Sequence, residues 1–205
     1  GRVVDLVGSP QGSARFIHLF DAGADNYEVF CRMQMQNCGW VVRAAQKHRA
    51  VYDEDGNRQQ ISKLMEEQPV TGTYELSLRS RNKQPARIAK LEVRIAPFRM
   101  PVPMQKTPFM KECEIQEITM WAVEVRETKP PKKTKPLHWL LLTSEPVNNF
   151  NDAWKIIGWY EKRPVIEDYH KCLKTGCRIE DRQYETGDRL ARVRGLLSVV
   201  AVRLL

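Results

Sequence analysis

The sequence predicts an α/β protein whose frame is interrupted by an inserted antiparallel β region. Three observations lead there. Residues 16–43 hold an apolar run that closes on an acid, then a helical pattern, then a second apolar run. Between His48 and His138 the hydrophobic period shortens to two and turn-rich spacers appear. After His138 the pattern returns to strand and then helix. The expected divisions are 1–47 (frame, first part), 48–138 (β insertion) and 139–205 (frame, second part).

In "RFIHLFDAGADNYEVFCRM" the run over 16–20 reads as a buried strand ending at Asp21. Small residues make a turn, and Tyr27, Phe30 and Cys31 share one side of the helix that follows. "CGWVVRA" supplies a second strand near 40–43. Asp21 therefore sits at the C-terminal end of a strand, where α/β sheets place their ligands. Asp25, one turn on, reads as a surface acid or helix-start residue.

The insertion opens with the turn-rich "YDEDGNRQ". "TYELSLR" puts Tyr74, Leu76 and Leu78 on one face. "AKLEVRI" sets Ala89, Leu91, Val93 and Ile95 against Lys90, Glu92 and Arg94, and "ITMWAVEV" is a third such run. With almost no helix signal, this reads as an antiparallel sheet facing a core on one side. "HWLLLTSEPV" is a strand closed by a proline turn. Three helical stretches remain. "NNFNDAWKIIGWYEKR" is capped near Asn151, "PVIEDYHKCLKTGCRIE" follows, and "TGDRLARVRGLLSVVAVRLL" begins with a Thr186/Gly187/Asp188 cap signal.

A chain of 205 residues suits one domain, or one carrying a large insertion. At 42% hydrophobic and 28% charged it is not wholesale disordered. A net charge of +8 favours a polyanionic partner, weakly, because both signs are abundant. "RSRNKQPARIAK" and "KPPKKTKP" concentrate cations on the insertion, as solvated loop charge or as phosphate contacts. Five scattered cysteines without a CxxC pair argue against structural zinc and for reduced thiols in the cytoplasm. "LLSVVAVRLL" is too short to span a bilayer, and no signal peptide is visible. Because the chain starts at Gly1 and stops in an apolar helical run, a piece of a longer protein is expected.

No phosphate-cradling glycine loop, HExxH or GxSxG occurs. The better candidates are carboxylates. In "YEKRPVIEDYHKCLK" the residues Tyr160, Arg163, Glu167, Lys171 and Lys174 stand at i, i+3, i+7, i+11 and i+14. At about 3.6 residues per turn they share one face, with Val165, Ile166, Tyr169, Cys172 and Leu173 opposite. Pro164 argues against a single helix, since proline is tolerated at a helix start and costs about 3 kcal/mol inside one. The expected picture is a break, with Tyr160 and Arg163 closing one helix and Pro164 opening the next. Asp21 and Glu167 could hold a pair of Mg²⁺ or Mn²⁺ ions about 3.5–4 Å apart, with Lys171 and Lys174 gripping phosphates. On spacing alone, Glu167 and Lys171 also fit an ordinary surface ion pair.

Tyr160, Arg163, Glu167 and Lys174 stand at Y-x2-R-x3-E-x6-K, which resembles the YREK signature of bacterial DDE transposases of the IS-four type. "PLHWLLLTSEPV", "KTG" and "LSVVAVRLL" resemble the Tn-five branch of that family. "DAGADNYEVF" is similar to the segment bearing its second acid, and "WVVRA" to the strand after it. The likeness spans nearly the whole chain, loosely between Ala44 and Pro130. It implies an RNase H-like core, truncated at its N-terminus, with an inserted antiparallel β subdomain.

By that resemblance Asp21 is the second catalytic, metal-binding acid and Glu167 the third. Tyr160, Arg163, Lys171 and Lys174 contact DNA phosphates, and Arg43 reaches the active-site DNA. Trp139 stacks on a flipped base; its bland alternative is a core aromatic. Trp40, Trp121, Trp154 and Trp159 have no such match and are expected in the core. The implied cofactor is a two-metal site holding Mg²⁺, with Mn²⁺ as a substitute. The implied partners are transposon-end and target DNA, with a homodimer in the full-length synaptic complex and no membrane. The implied chemistry is cleavage that frees a 3′-hydroxyl, hairpin formation and strand transfer. The family's first acid has no counterpart, since only Asp5 precedes Asp21, so the chain is expected to be inactive by itself. A non-catalytic DNA-binding remnant and a general metal-dependent nuclease of the same fold are the alternatives.

Overall fold

The computed structural model describes residues 1–78, 80, 85–132 and 134–205. They form two compact units, Gly1–Tyr160 and Glu161–Leu205.

The first unit is built on an eight-stranded sheet. Helix α1 (Arg2–Val7) leads to β1 (Ile17–Phe20), α2 (Tyr27–Met35) and β2 (Gly39–Arg43), and β1 and β2 run parallel. Helix α2 starts where Asn26, in extended backbone, accepts the Glu28 N–H at 2.9 Å. It buries Tyr27, Phe30, Cys31 and Met33, close to the face the periodicity predicts. Burial pushes the Cys31 thiol up to about 12. Arg32 ties α2 to α1 by bonding Asp5 at 2.6 Å as well as Glu28 at 2.8 Å.

The remaining strands are β3 (Ala50–Tyr52), β4 (Arg58–Gln60), β5 (Gly72–Leu78), β6 (Arg87–Pro101), β7 (Glu117–Glu127) and β8 (His138–Thr143). Their order is β1-β2-β8-β7-β6-β3-β4, with β5 also on β6, and every described ladder except β1/β2 is antiparallel. The strands of the stretch 48–138 thus continue the frame's sheet through the β7/β8 ladder. Pro97 falls where β6 has no second partner, between its pairing with β5 and with β3, so a missing N–H is tolerated there.

The alternation in β5 and β6 puts Tyr74, Leu76 and Leu78, and Ala89, Leu91 and Val93, on the inward face as predicted. Two short helices inside the stretch were not foreseen. Helix α3 (Ile61–Glu67) buries Ile61, Leu64 and Met65, and α4 (Pro108–Glu112) is capped by Thr107 and buries Met110.

Each face of the sheet carries its own core. Phe30, Met33, Trp40, Phe98, Met100 and Met120 fill one. Val41, Leu91, Val93, Val123, Leu141 and Ile156 fill the other, beneath α5 (Phe150–Tyr160). Each such side chain contributes about 1.5–3 kcal/mol. Helix α5 is capped from Asn149, two residues before the predicted position. Asn149 accepts the Asp152 N–H at 3.1 Å, and Asp152 in return accepts the Asn148 N–H at 3.0 Å. Gly72 is required at the start of β5 because any Cβ there would strike the Phe150 ring.

The second unit opens with a turn over 161–164. Pro164 then opens α6 (Val165–Lys171), which is the predicted break, although Arg163 lies in the turn and does not close α5. The chain continues through a π-helical turn (Cys172–Gly176) and a 3-10 turn (Ile179–Asp181) to α7 (Gly187–Arg203), capped by Thr186. Leu173, Cys177 and Ala201 form its core, with Tyr169, Cys172, Ile179 and Leu197 packed against them. Val165 and Ile166, predicted on the apolar face, are half exposed instead. All five cysteines are free. Among the described residues no helix is long and apolar enough to cross a membrane.

Candidate functional site

Four of the predicted residues belong to the first unit. Asp21 follows the last residue of β1, is exposed, and caps a 3-10 turn by accepting the Gly23 N–H at 2.9 Å on Oδ1. The register pairs Phe20 with Val42, so Asp21 and Arg43 emerge side by side at the ends of parallel strands. Arg43 is exposed and donates from Nη2 to the His138 carbonyl at 3.4 Å. The next residue, Trp139, packs against the core under α5 and meets the Tyr160 ring edge-on, with centroids 5.6 Å apart. Arg43 lies two residues from Val41, which is buried in that same core, so strand alternation puts Arg43 and Trp139 on one face. Tyr160 is only 6% exposed, so its ring is a packing element first.

His18, three residues before Asp21, stacks on Phe20 at 5.6 Å. Burial lowers its tendency to protonate, which keeps the imidazole neutral.

Arg163, Glu167, Lys171 and Lys174 belong to the second unit. Glu167 Oε1 accepts from Arg163 Nη2 at 2.6 Å across the start of α6. The acid thus pairs backwards to Arg163 and not forwards to Lys171. Lys171 is exposed at the end of α6. Lys174 stands on the π-helical turn, closed by a Cys177 N–H to Cys172 O bond of 2.8 Å, and reaches Glu180 at 2.9 Å. Such turns re-aim side chains and recur at functional sites.

Three expectations change. Asp25 is not a surface acid. It is 6% exposed and receives the N–H groups of Ala45 at 2.7 Å and Gln46 at 3.0 Å, besides the Arg49 guanidinium at 2.5 Å. Trp154 is not in the core. It is 47% exposed and lies against Tyr74 and Phe150. Arg87, in the first basic cluster, is spent inside the fold on Glu127 at 2.9 Å. Residues 79, 81–84 and 133 of the two clusters lie outside the described residues.

The family model described as Transposase DDE domain matches residues 16–202. The chain belongs to that family: it is a transposase domain, and its mixed α/β architecture with a mostly antiparallel sheet is compatible with the family's fold. DNA is the partner such an enzyme implies.

Enzymes of this family generally use divalent metals. Among the described residues no group of three or more His, Cys, Asp and Glu side chains is gathered to hold one. The two predicted acids nevertheless fit in kind. Both are exposed carboxylates, hard oxygen donors of the type Mg²⁺ and Mn²⁺ prefer. Asp21 commits Oδ1 to a backbone N–H, and Glu167 commits Oε1 to Arg163.

Proposed function

We propose that the chain carries part of the catalytic core of a cut-and-paste DNA transposase of the IS-four type, near the Tn-five branch, on an RNase H-like frame. Asp21 and Glu167 would be the residues holding divalent metal, and bound metal would supply Lewis-acid activation of the attacking oxygen and charge stabilisation of the leaving 3′ oxygen at a phosphodiester. Arg163, Lys171 and Lys174 grip phosphates near the cleaved end, and Tyr160 contacts a phosphate there too. Arg43 draws the DNA end toward Asp21. Trp139 receives a base flipped out as the end closes into a hairpin, returning by stacking part of the unstacking cost of a few kcal/mol.

The observation that supports this reading best is the placement of Asp21 and Arg43 past neighbouring strand ends, with Trp139 on the same sheet face, within a chain that belongs to the transposase DDE family. An acid, a cation and a half-buried indole are what a metal, a phosphate and an extruded base each need. Asp5, the one acid before Asp21, is taken up by Arg32. The chain by itself is therefore proposed to bind metal weakly and not to cleave.

Two measurements test the proposal. Manganese titration followed by EPR should show binding that D21N and E167Q each weaken. Hairpin-ended DNA carrying 2-aminopurine near its tip should change fluorescence with wild-type chain and not with W139A. Unchanged manganese binding in both acid variants would remove the metal site, and an unchanged fluorescence response in W139A would remove the base-stacking role.

A further inference from the structure

Lysine on a surface loop ordinarily samples many rotamers, at a cost of up to about 2 kcal/mol to order one. Lys47, in the loop after β2, is held. Its Nζ lies 2.8 Å from His138 Nδ1, and His138 Nε2 lies 2.7 Å from Oε1 of Glu124. Glu124 is 7% exposed and stands within 3.8 Å of Arg94. An ammonium only donates, so the Lys47 contact requires a lone pair on Nδ1 and the proton on Nε2. The Glu124 carboxylate selects that tautomer by accepting from Nε2–H.

The same residue also holds Arg43 through its carbonyl, and Trp139 follows it in β8. Lys47 and His138 line a cleft of about 730 Å³ with His48, Arg94 and Arg126, and with Glu66, Glu92 and Glu127. Two of the three Lys47 protons remain to be directed into it.

We propose that Lys47 binds a DNA backbone phosphate, and that His138, backed by Glu124, is the positioning residue that aims it. This rests on the DNA-end reading above and extends it to the other face of the sheet. Arg43 and Trp139 grip the end on the α5 face, while Lys47 holds the backbone as it passes over the end of β8. A single residue, His138, sets the spacing of the two cations.

The test uses the full chain and a fluorescent hairpin-ended duplex, with anisotropy titrations over a series of salt concentrations. Each lost phosphate contact should reduce the slope of log K against log salt by about 0.9. K47A and H138L should each show that reduction. H138Q should restore the wild-type slope, because its amide can donate to Glu124 and accept from Lys47. Nitrogen-detected NMR of the free chain should find the proton of the neutral His138 imidazole on Nε2. Should H138L fail to fold, K47A, H138Q and the NMR measurement still decide. An unchanged slope in K47A, an H138Q slope as low as that of K47A, or a neutral imidazole protonated on Nδ1 each overturns the proposal. If R43A and W139A weaken binding while K47A does not, this inference falls and the DNA-end reading stands. A chain that binds no DNA overturns both.

Discussion

Arg49 Nη1 stands 2.5 Å from Oδ1 of Asp25, whose side chain has no exposed surface, and Arg49 Nη2 donates to the Asp25 carbonyl at 3.2 Å. One guanidinium thereby pins the chain just after the 3-10 turn that Asp21 caps. Removing it in R49M leaves a buried carboxylate satisfied by two N–H groups alone. Breaking a buried pair costs about 3–5 kcal/mol. Urea unfolding should place R49M near the lower figure, because Arg49 is 13% exposed and the two N–H bonds persist. A loss under about 1 kcal/mol would mean the pair is not a pin.

Glu127 sets an acid limit on stability. The Arg87 guanidinium foremost, with the Leu137 N–H, holds its carboxyl below the usual carboxylate range against the opposing effect of burial. A folded pKa below the unfolded one stabilises above the unfolded value, and that stabilisation is lost as pH falls through the folded value. E127Q should therefore be less stable at neutral pH and lose less between neutral pH and the acid range. Thermal melts from pH 7 downward check this, and parallel curves for the two proteins would contradict it.

Arg163 and Glu167 offer the opposite case. Their side chains are 23% and 56% exposed, so the pair contributes at most about 1 kcal/mol. R163A should melt close to wild type yet lower the salt slope of DNA binding by about 0.9. Strong destabilisation without a slope change would make Arg163 a structural residue.

Trp139 should matter to DNA with an extruded base. Base–aromatic stacking is worth about 1–3 kcal/mol, so W139A should bind hairpin-ended DNA roughly tenfold more weakly. W139F should recover most of that, while affinity for blunt duplex stays put. Equal losses on both DNAs would point to disturbed packing against Tyr160.

Local rules carried the sequence reading where the structure is local. The alternation in β5 and β6, the Thr186 cap and the break at Pro164 all depend on neighbours within a few residues. The position of Asp21 at the end of β1 was legible because an apolar run stops at it. Asp25 was not, since the arginine that buries with it lies 24 positions away and no period connects them. Helix α3 is seven residues long, and three buried positions amid polar ones give too weak a period to find. The Lys47–His138–Glu124 chain joins a loop, the first residue of β8 and the interior of β7, and only the β2/β8/β7 register brings them together. Trp154 was misplaced because an aromatic on a helix with an apolar face reads as core even when its own position points outward.

Strand β6 is 15 residues long, about 50 Å at ~3.3 Å per residue. Eleven of its residues are bonded to β7, and its two ends are bonded to β5 and β3. Such a strand resists bending, because the β7 ladder runs along residues 91–101 and pairing with β5 and β3 braces the second side except between Val93 and Arg99. Residues 48–138 share one continuous sheet with β1, β2 and β8, so they cannot swing as a body without parting the β7/β8 ladder.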